Sequence, residues 1–259
     1  MQKQFLITFL ALFIVAGVLA QQKRTLVWSD EFNYKGLPDP KKWNYDTGGR
    51  GWGNNELQYY TFQNTKNARV ENGHLIIEAR KEQMGKNEYT SARLVTKGKG
   101  DWTHGRIEVS AKIPKGLGTW PAIWMLGSKT PLKWPDDGEI DIMEHVGFDQ
   151  GNIHASIHCK KYNHIMGTQK TDTIRVNDCS DAFHVYQLDW DAETVRIGID
   201  NTVYFQFKNE HSSRDAWPFS EPQYLLLNLA VGGNWGGQKG VDSTIYPLRM
   251  EIDYVRVFQ

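Results

Sequence analysis

The densest chemical signal in the 259-residue chain is Gly138-Glu139-Ile140-Asp141-Ile142-Met143-Glu144, three carboxyl side chains within six positions and spaced by large apolar ones. Alternate residues of a β-strand share a face, so Glu139 and Asp141 point one way and Glu144, at an odd offset, points the other. One extra residue in a β-bulge, at Ile142 or Met143, restores the parity and sets all three on one face. Such a face repels itself, and stability alone gives little reason to build it. Hydrolysis of a glycosidic bond does, because it needs one carboxylate to attack or stabilise the sugar carbon and one carboxylic acid to protonate the leaving oxygen. Four regular strand steps of about 3.3 Å set the outer Cα atoms about 13 Å apart. Two Glu side chains can narrow that gap toward the roughly 5–5.5 Å of retaining enzymes, where two Asp would be too short. Three adjacent carboxyls cannot all ionise cheaply, so at least one pKa is expected to rise, as a general acid requires. A solvated edge strand and a calcium site are the competing readings of the same string.

The second signal is aromatic. The chain carries 10 Trp, 11 Tyr and 11 Phe, and sugar rings, with apolar C–H faces and polar rims, are bound by flat aromatics with hydrogen-bonding groups around them. Trp120 and Trp124 are evenly spaced about Ala122 and share a strand face. Trp134, just before the acidic segment, and Trp235, after Gly232-Gly233, are further platform candidates, whereas Trp28, Trp43, Trp190 and Trp217 are assigned to packing. His154 and His158 share a face with Ser156, to line a cleft or to bond within it. A zinc site is not expected, since no third ligand lies at a recognised spacing.

These strings together resemble glycoside hydrolase family 16, in its laminarinase and mixed-linkage β-glucanase branch. The acidic segment is similar to that family's active-site strand in its bulged form. The likeness runs on through Trp28-Ser29-Asp30-Glu31-Phe32, Trp52-Gly53-Asn54-Asn55-Glu56-Leu57-Gln58-Tyr59-Tyr60-Thr61, Ser91-Ala92-Arg93-Leu94, Trp120-Pro121-Ala122-Ile123-Trp124-Met125 and Asn228-Leu229-Ala230-Val231-Gly232-Gly233-Asn234-Trp235. The resemblance implies a β-jelly-roll sandwich of two antiparallel sheets with an open concave glycan cleft. It implies Glu139 as nucleophile, Asp141 as its supporting residue and Glu144 as general acid/base, in a retaining double displacement. It implies Asn54, Glu56, Arg93, His158 and Asn228 as polar partners of the sugar. It also implies a structural calcium away from the cleft, held by Glu31, the carbonyl of Gly73 and Asp253; no cofactor is expected for catalysis. The expected activity is endo-hydrolysis of β-1,3-glucan or mixed β-1,3-1,4-glucan. The alternatives are a related hydrolase or transglycosylase acting on agar, carrageenan or xyloglucan, and a carbohydrate-binding sandwich without turnover.

The elements that must position these residues are strands. Period-two alternation recurs, as in Arg106 to Ile113, and no apolar pattern of helical length is found. Asn72-Gly73 within Val70 to Arg80 and Asp200-Asn201 between Val195 and Lys208 are hairpin turns. Further strands are expected at Ala122 to Leu126, Glu139 to Val146, Asn152 to His158, Phe183 to Trp190, Tyr224 to Val231 and Met250 to Phe258, as one domain over residues 21–259. Residues 1–20, a Lys followed by an apolar run ending in Val18-Leu19-Ala20, read as a signal peptide too short to span a membrane. The product is therefore expected to be secreted or periplasmic, where Cys159 and Cys179, flanking a polar loop-like segment Lys160 to Asp178, can form a disulfide. That inserted-looking segment is expected to border the cleft. With 30 basic and 30 acidic residues, the balance gives no reason to expect nucleic acid or membrane as partner. A neutral polysaccharide suits it, and a monomer is expected.

Overall fold

The computed structural model describes residues 24–259, and the expected signal peptide, residues 1–20, lies outside the described residues. The alternating segments form two stacked sheets of ten and eight strands. All pairings are antiparallel except Gln58–Tyr60 with Asn87–Ser91. Among the described residues helix is confined to two 3₁₀ turns, Gly51–Gly53 and His164–Met166. The expected all-β sandwich is what the chain builds.

The eight-stranded sheet carries the chemistry. Its order is Lys170–Arg175, Asn152–His158, Glu139–Glu144, Thr119–Gly127, Gln223–Val231, Arg93–Val95 and Asn44–Tyr45, with Asp101–Trp102 also paired to Gln223–Val231. The other sheet runs Thr202–Lys208, Thr194–Ile199, His184–Trp190, Gly105–Lys112, Leu248–Phe258, His74–Met84, Asn87–Ser91 and Gln58–Tyr60, with Leu26–Asp30 also paired to Leu248–Phe258 and Ala68–Glu71 to His74–Met84. Both predicted tight hairpins are present. Asn72 and Gly73, and Asp200 and Asn201, all have positive φ, the conformation that lets a two-residue loop follow the right-handed twist of its strands.

Alternation explains which side chains meet between the sheets. Ile107, Val109 and Ala111 from one sheet, and Ile123, Met125, Ile140, Leu225, Leu227 and Leu229 from the other, are buried in one core cluster. Each buried Leu, Ile or Val contributes about 1.5–3 kcal/mol, so the sheet beneath the site is anchored from behind. Trp43, Trp190 and Trp217 are buried, and Trp28 packs edge-on against Trp43 and Trp102. The packing assignment of these four tryptophans holds.

Two expectations need correction. The segment Lys160 to Asp178 is not all loop: Lys170–Arg175 is the edge strand of the eight-stranded sheet, paired with Asn152–His158. Its sequence hid this because its residues are polar and nearly all exposed, which leaves no apolar alternation to read. The Cys159–Cys179 bridge is not formed either. Both thiols are free and buried; Cys159 Sγ lies 3.6 Å from the Ala216 carbonyl and Cys179 Sγ accepts from Gln150 at 3.5 Å. Each sulfur packs as a small hydrophobe instead.

Candidate active site

The acidic strand lies between Thr119–Gly127 and Asn152–His158, and both neighbours record a slip in register. Ile123 pairs with Met143 while Trp124 pairs with Asp141, so Ile142 has no partner on that side. On the other side Asp141 pairs with Ser156 and Glu144 with His154. This is the bulge that parity demanded. Ile142 and Met143 are both buried in the core, and the extra inward side chain turns Glu144 back to the face of Glu139 and Asp141. All three carboxyls line one cleft of about 910 Å³.

Each Glu is held by a different indole. Trp134 Nε1 donates to Glu139 Oε2 at 2.9 Å, and Trp120 Nε1 donates to Glu144 Oε1 at 2.9 Å. Asp141 sits between them, 2% exposed. His158 approaches from the next strand, its Nε2 3.2 Å from Asp141 Oδ2 and 3.7 Å from Glu139 Oε1. Burial raises the pKa of Glu139 to about 8, and repulsion from Asp141 adds to it, against the His158 and Trp134 contacts that lower it. Burial likewise lifts Asp141 to about 8. Glu144 rises to about 8 from burial and then Asp141, opposed by Trp120. The three titrate as one coupled set that holds fewer than three charges near neutrality.

A polar network continues along the cleft floor. Trp124 Nε1 donates to Asn228 Oδ1 at 2.7 Å, Asn228 Nδ2 donates to Tyr60 Oη at 3.1 Å, and Gln58 Nε2 donates to Glu56 Oε2 at 2.6 Å. Burial pushes the Glu56 carboxyl up, while Gln58 and Arg93 pull it down. The Arg93 guanidinium lies between two indoles, 4.8 Å from the Trp52 ring centre and 4.7 Å from that of Trp124. At the other end Trp235 meets Trp120 edge-on at 5.5 Å and His154 at 4.8 Å. Gly233, φ +80°, lies where a Cβ would come within 3.3 Å of both Asn54 and Glu56, so the loop bearing Trp235 closes tightly onto the strand pair below.

The structure thus brings Asn54, Glu56, Arg93, Trp120, Trp124, Trp134, His158, Asn228 and Trp235 into one cleft with Glu139, Asp141 and Glu144. Sequence reasoning gave no cleft role to Trp52 and Gln238, which also line it, whereas His164, Ile165, Gln169 and Thr171 belong to the inserted segment that was expected to border it and does. Trp52 stood in the motif, but its stack on Arg93 joins residues far apart in the chain. His164 faces the Trp134 ring at 5.1 Å, the form in which the inserted segment borders the cleft.

Two of the three expected calcium ligands have protein partners. Both carboxylate oxygens of Glu31 accept from Arg256, at 2.9 and 2.7 Å, so a guanidinium occupies one side of that carboxylate. The Asp253 side chain is 47% exposed, with its oxygens facing His74 Nε2 at 3.9 Å and Ser110 Oγ at 3.4 Å. With Glu31 paired to Arg256 and Asp253 half exposed, these side chains do not by themselves form a calcium cage.

Comparison with known proteins agrees with the geometry. A β-glucanase of Rhodothermus marinus is 54% identical over 242 residues, covering 90% of this chain and 85% of that protein. The X-ray structure of the laminarinase from Rhodothermus marinus superposes with a TM-score of 0.90 at 53% identity, covering 92% of this chain and 98% of the other. A non-specific endo-β-1,3(4)-glucanase structure gives 0.88 at 51% identity, with 92% of each chain covered. The sequence pattern of Glycosyl hydrolases family 16 matches residues 55–256. With the bulged acidic strand, the indole-held carboxyls and the aromatic cleft in place, the chain belongs to glycoside hydrolase family 16.

Proposed function

We propose that this chain is a retaining endo-β-glucanase that cleaves internal bonds of β-1,3-glucan and of mixed β-1,3-1,4-glucan. The observation that carries the reading is the bulge that turns Glu144 to the side of Glu139 and Asp141, in a cleft open to a polymer. Glu139, its Oε2 fixed by Trp134, attacks the anomeric carbon. Glu144, its oxygen held by Trp120 on the same face of the cleft, gives its proton to the leaving oxygen. A covalent glycosyl-enzyme forms; Glu144, now a base, takes a proton from water, which attacks the same carbon and returns the configuration. Asp141, itself raised by burial, shares protons and charge with the two glutamates, so that the set releases its protons in steps.

A neutral substrate fits the lining. Glu56, Glu139, Asp141 and Glu144 line the cleft with a single guanidinium, that of Arg93, so the lining offers no cluster of positive charge for the sulfate groups of carrageenan. The structures of similar proteins that cleave β-1,3(4)-glucans support the same substrate class. Residues 21–259 act as one secreted catalytic domain, a monomer, after residues 1–20 are removed on export.

A reducing-end assay on laminarin, barley glucan, agarose and xyloglucan tests the reading, with activity expected on the first two. E139Q is expected to lose turnover by more than about 10⁴-fold and keep glycan binding; undiminished activity in E139Q would sink the mechanism. Release of product sugars with inverted configuration, read by NMR, would exclude the covalent step.

A further inference from the structure

Glu139, Asp141 and His158 each offer one ligand atom, and these three atoms lie within 4.8 Å of one another. Register explains the meeting. Glu139 and Asp141 are two apart on one strand, and His158 is the direct cross-strand partner of Glu139. A short-range ligand spacing in the chain, the usual sign of zinc, would never show it.

Three features make this more than a cluster of acids. Asp141 Oδ2 is buried and has no hydrogen-bond partner, although it lies 3.2 Å from His158 Nε2; the Asp141 side chain is 3% exposed and that of His158 8%. Trp134 engages Oε2 of Glu139, which leaves Oε1 on the side of His158 at 3.7 Å. Two of the three edges, 3.2 and 3.7 Å, lie close to the roughly 3.4 Å that separates donors in a tetrahedron of about 2.1 Å metal–ligand bonds, and the third, between the two carboxylates, is within 4.8 Å. The three side chains line the cleft, so a fourth position is open to water.

We propose that Glu139 Oε1, Asp141 Oδ2 and His158 Nε2 bind a divalent transition-metal ion of the Zn²⁺ class, and that the ion inhibits by occupying the nucleophile. An imidazole with two carboxylates suits Zn²⁺ or Cu²⁺ better than Mg²⁺ or Ca²⁺, which favour all-oxygen shells. Two negative charges against one divalent cation also remove the mutual repulsion of the carboxylates. The inhibition rests on the catalytic reading of Glu139, whereas the binding does not.

The test uses chelator-stripped protein, titrated with Zn²⁺ by calorimetry and with Co²⁺ by visible absorption. One ion per chain is expected, with tetrahedral Co²⁺ bands, and Mg²⁺ at equal concentration should not displace it. H158A and D141N should each weaken Zn²⁺ binding by at least about tenfold, with circular dichroism confirming the fold, while H211A, at an exposed distant histidine, should bind as wild type. In hydrolysis of laminarin, Zn²⁺ should raise KM without changing kcat and be reversed by chelator. Absence of stoichiometric binding, or binding undiminished in both H158A and D141N, overturns the site. Hydrolysis that is insensitive to bound Zn²⁺ overturns the inhibition alone, and a lack of hydrolysis with binding intact overturns the catalytic reading instead.

Discussion

Trp134 donates its indole N–H to Glu139 at 2.9 Å, and five residues along the acidic strand Trp120 does the same for Glu144. Each contact lowers the pKa of its own carboxyl against the burial that raises it. The nucleophile must be ionised and the acid protonated, so the two indoles act on opposite limbs of the pH–rate profile. W134F should move the acid limb to higher pH, and W120F should move the alkaline limb to higher pH. A profile of kcat/KM for both variants checks this; movement of the same limb in both would contradict the assignment of roles.

Asp141 supplies a stability prediction. Its folded pKa is raised by burial, to about 8, above the roughly 3.9 of an unfolded chain. The stability linked to its protonation is full below about pH 4 and is lost as pH rises toward 8. D141N cannot ionise and avoids that loss. Its unfolding free energy should exceed that of wild type by about 1–3 kcal/mol at pH 8, the margin closing toward pH 4, as read by denaturant titration at several pH values. Activity should fall at the same time, the usual trade at a strained site.

The bulge makes a prediction about chain length. Deleting Ile142 gives an even offset between Glu139 and the last Glu, so all three carboxyls still share a face in a regular strand. One core side chain is lost, at a cost of about 2–5 kcal/mol, but glucanase activity should remain measurable. Deleting both Ile142 and Met143 leaves an odd offset of three with no residue to spare for a bulge, which turns the last Glu to the opposite face and should abolish activity. Equal effects of the two changes would show that parity is not what orients Glu144.

Arg93 stacks between Trp52 and Trp124, and each such contact contributes about 0.5–2 kcal/mol when shielded from water. R93M keeps length and loses the charge that both rings face. Thermal unfolding should drop by about 1–2 kcal/mol, and KM should rise while kcat holds, since Arg93 does not touch the reacting carboxyls. A fall in kcat with unchanged KM would place Arg93 in the chemistry instead.

The site was legible in the sequence where local parity decided the outcome. The odd offset of Glu144 called for a bulge at Ile142 or Met143, and the sheet registers place it there. The even spacing of Trp120 and Trp124 put both rings in the cleft. What stayed hidden depended on contacts between distant segments: the Trp52–Arg93–Trp124 stack, the Trp120–Glu144 bond, and the pairing of Glu139 with His158. The Cys159–Cys179 bridge failed for the same reason, because separation along the chain says little about where two buried sulfurs point. Glu31 was carried over as a cation ligand from the family resemblance, and its pairing with Arg256, 225 residues away, left no mark in the sequence.

The eight-stranded sheet ends at Lys170–Arg175, and its outer edge is a row of unpaired backbone groups of the sort that recruits a second strand from another molecule. The sequence there, Lys-Thr-Asp-Thr-Ile-Arg, alternates in sign and is almost wholly exposed. A neighbouring copy adding to that edge would have to strip water from those charges. The border of the cleft is in this way guarded against self-association, which leaves the groove free for a polymer that must enter along its length.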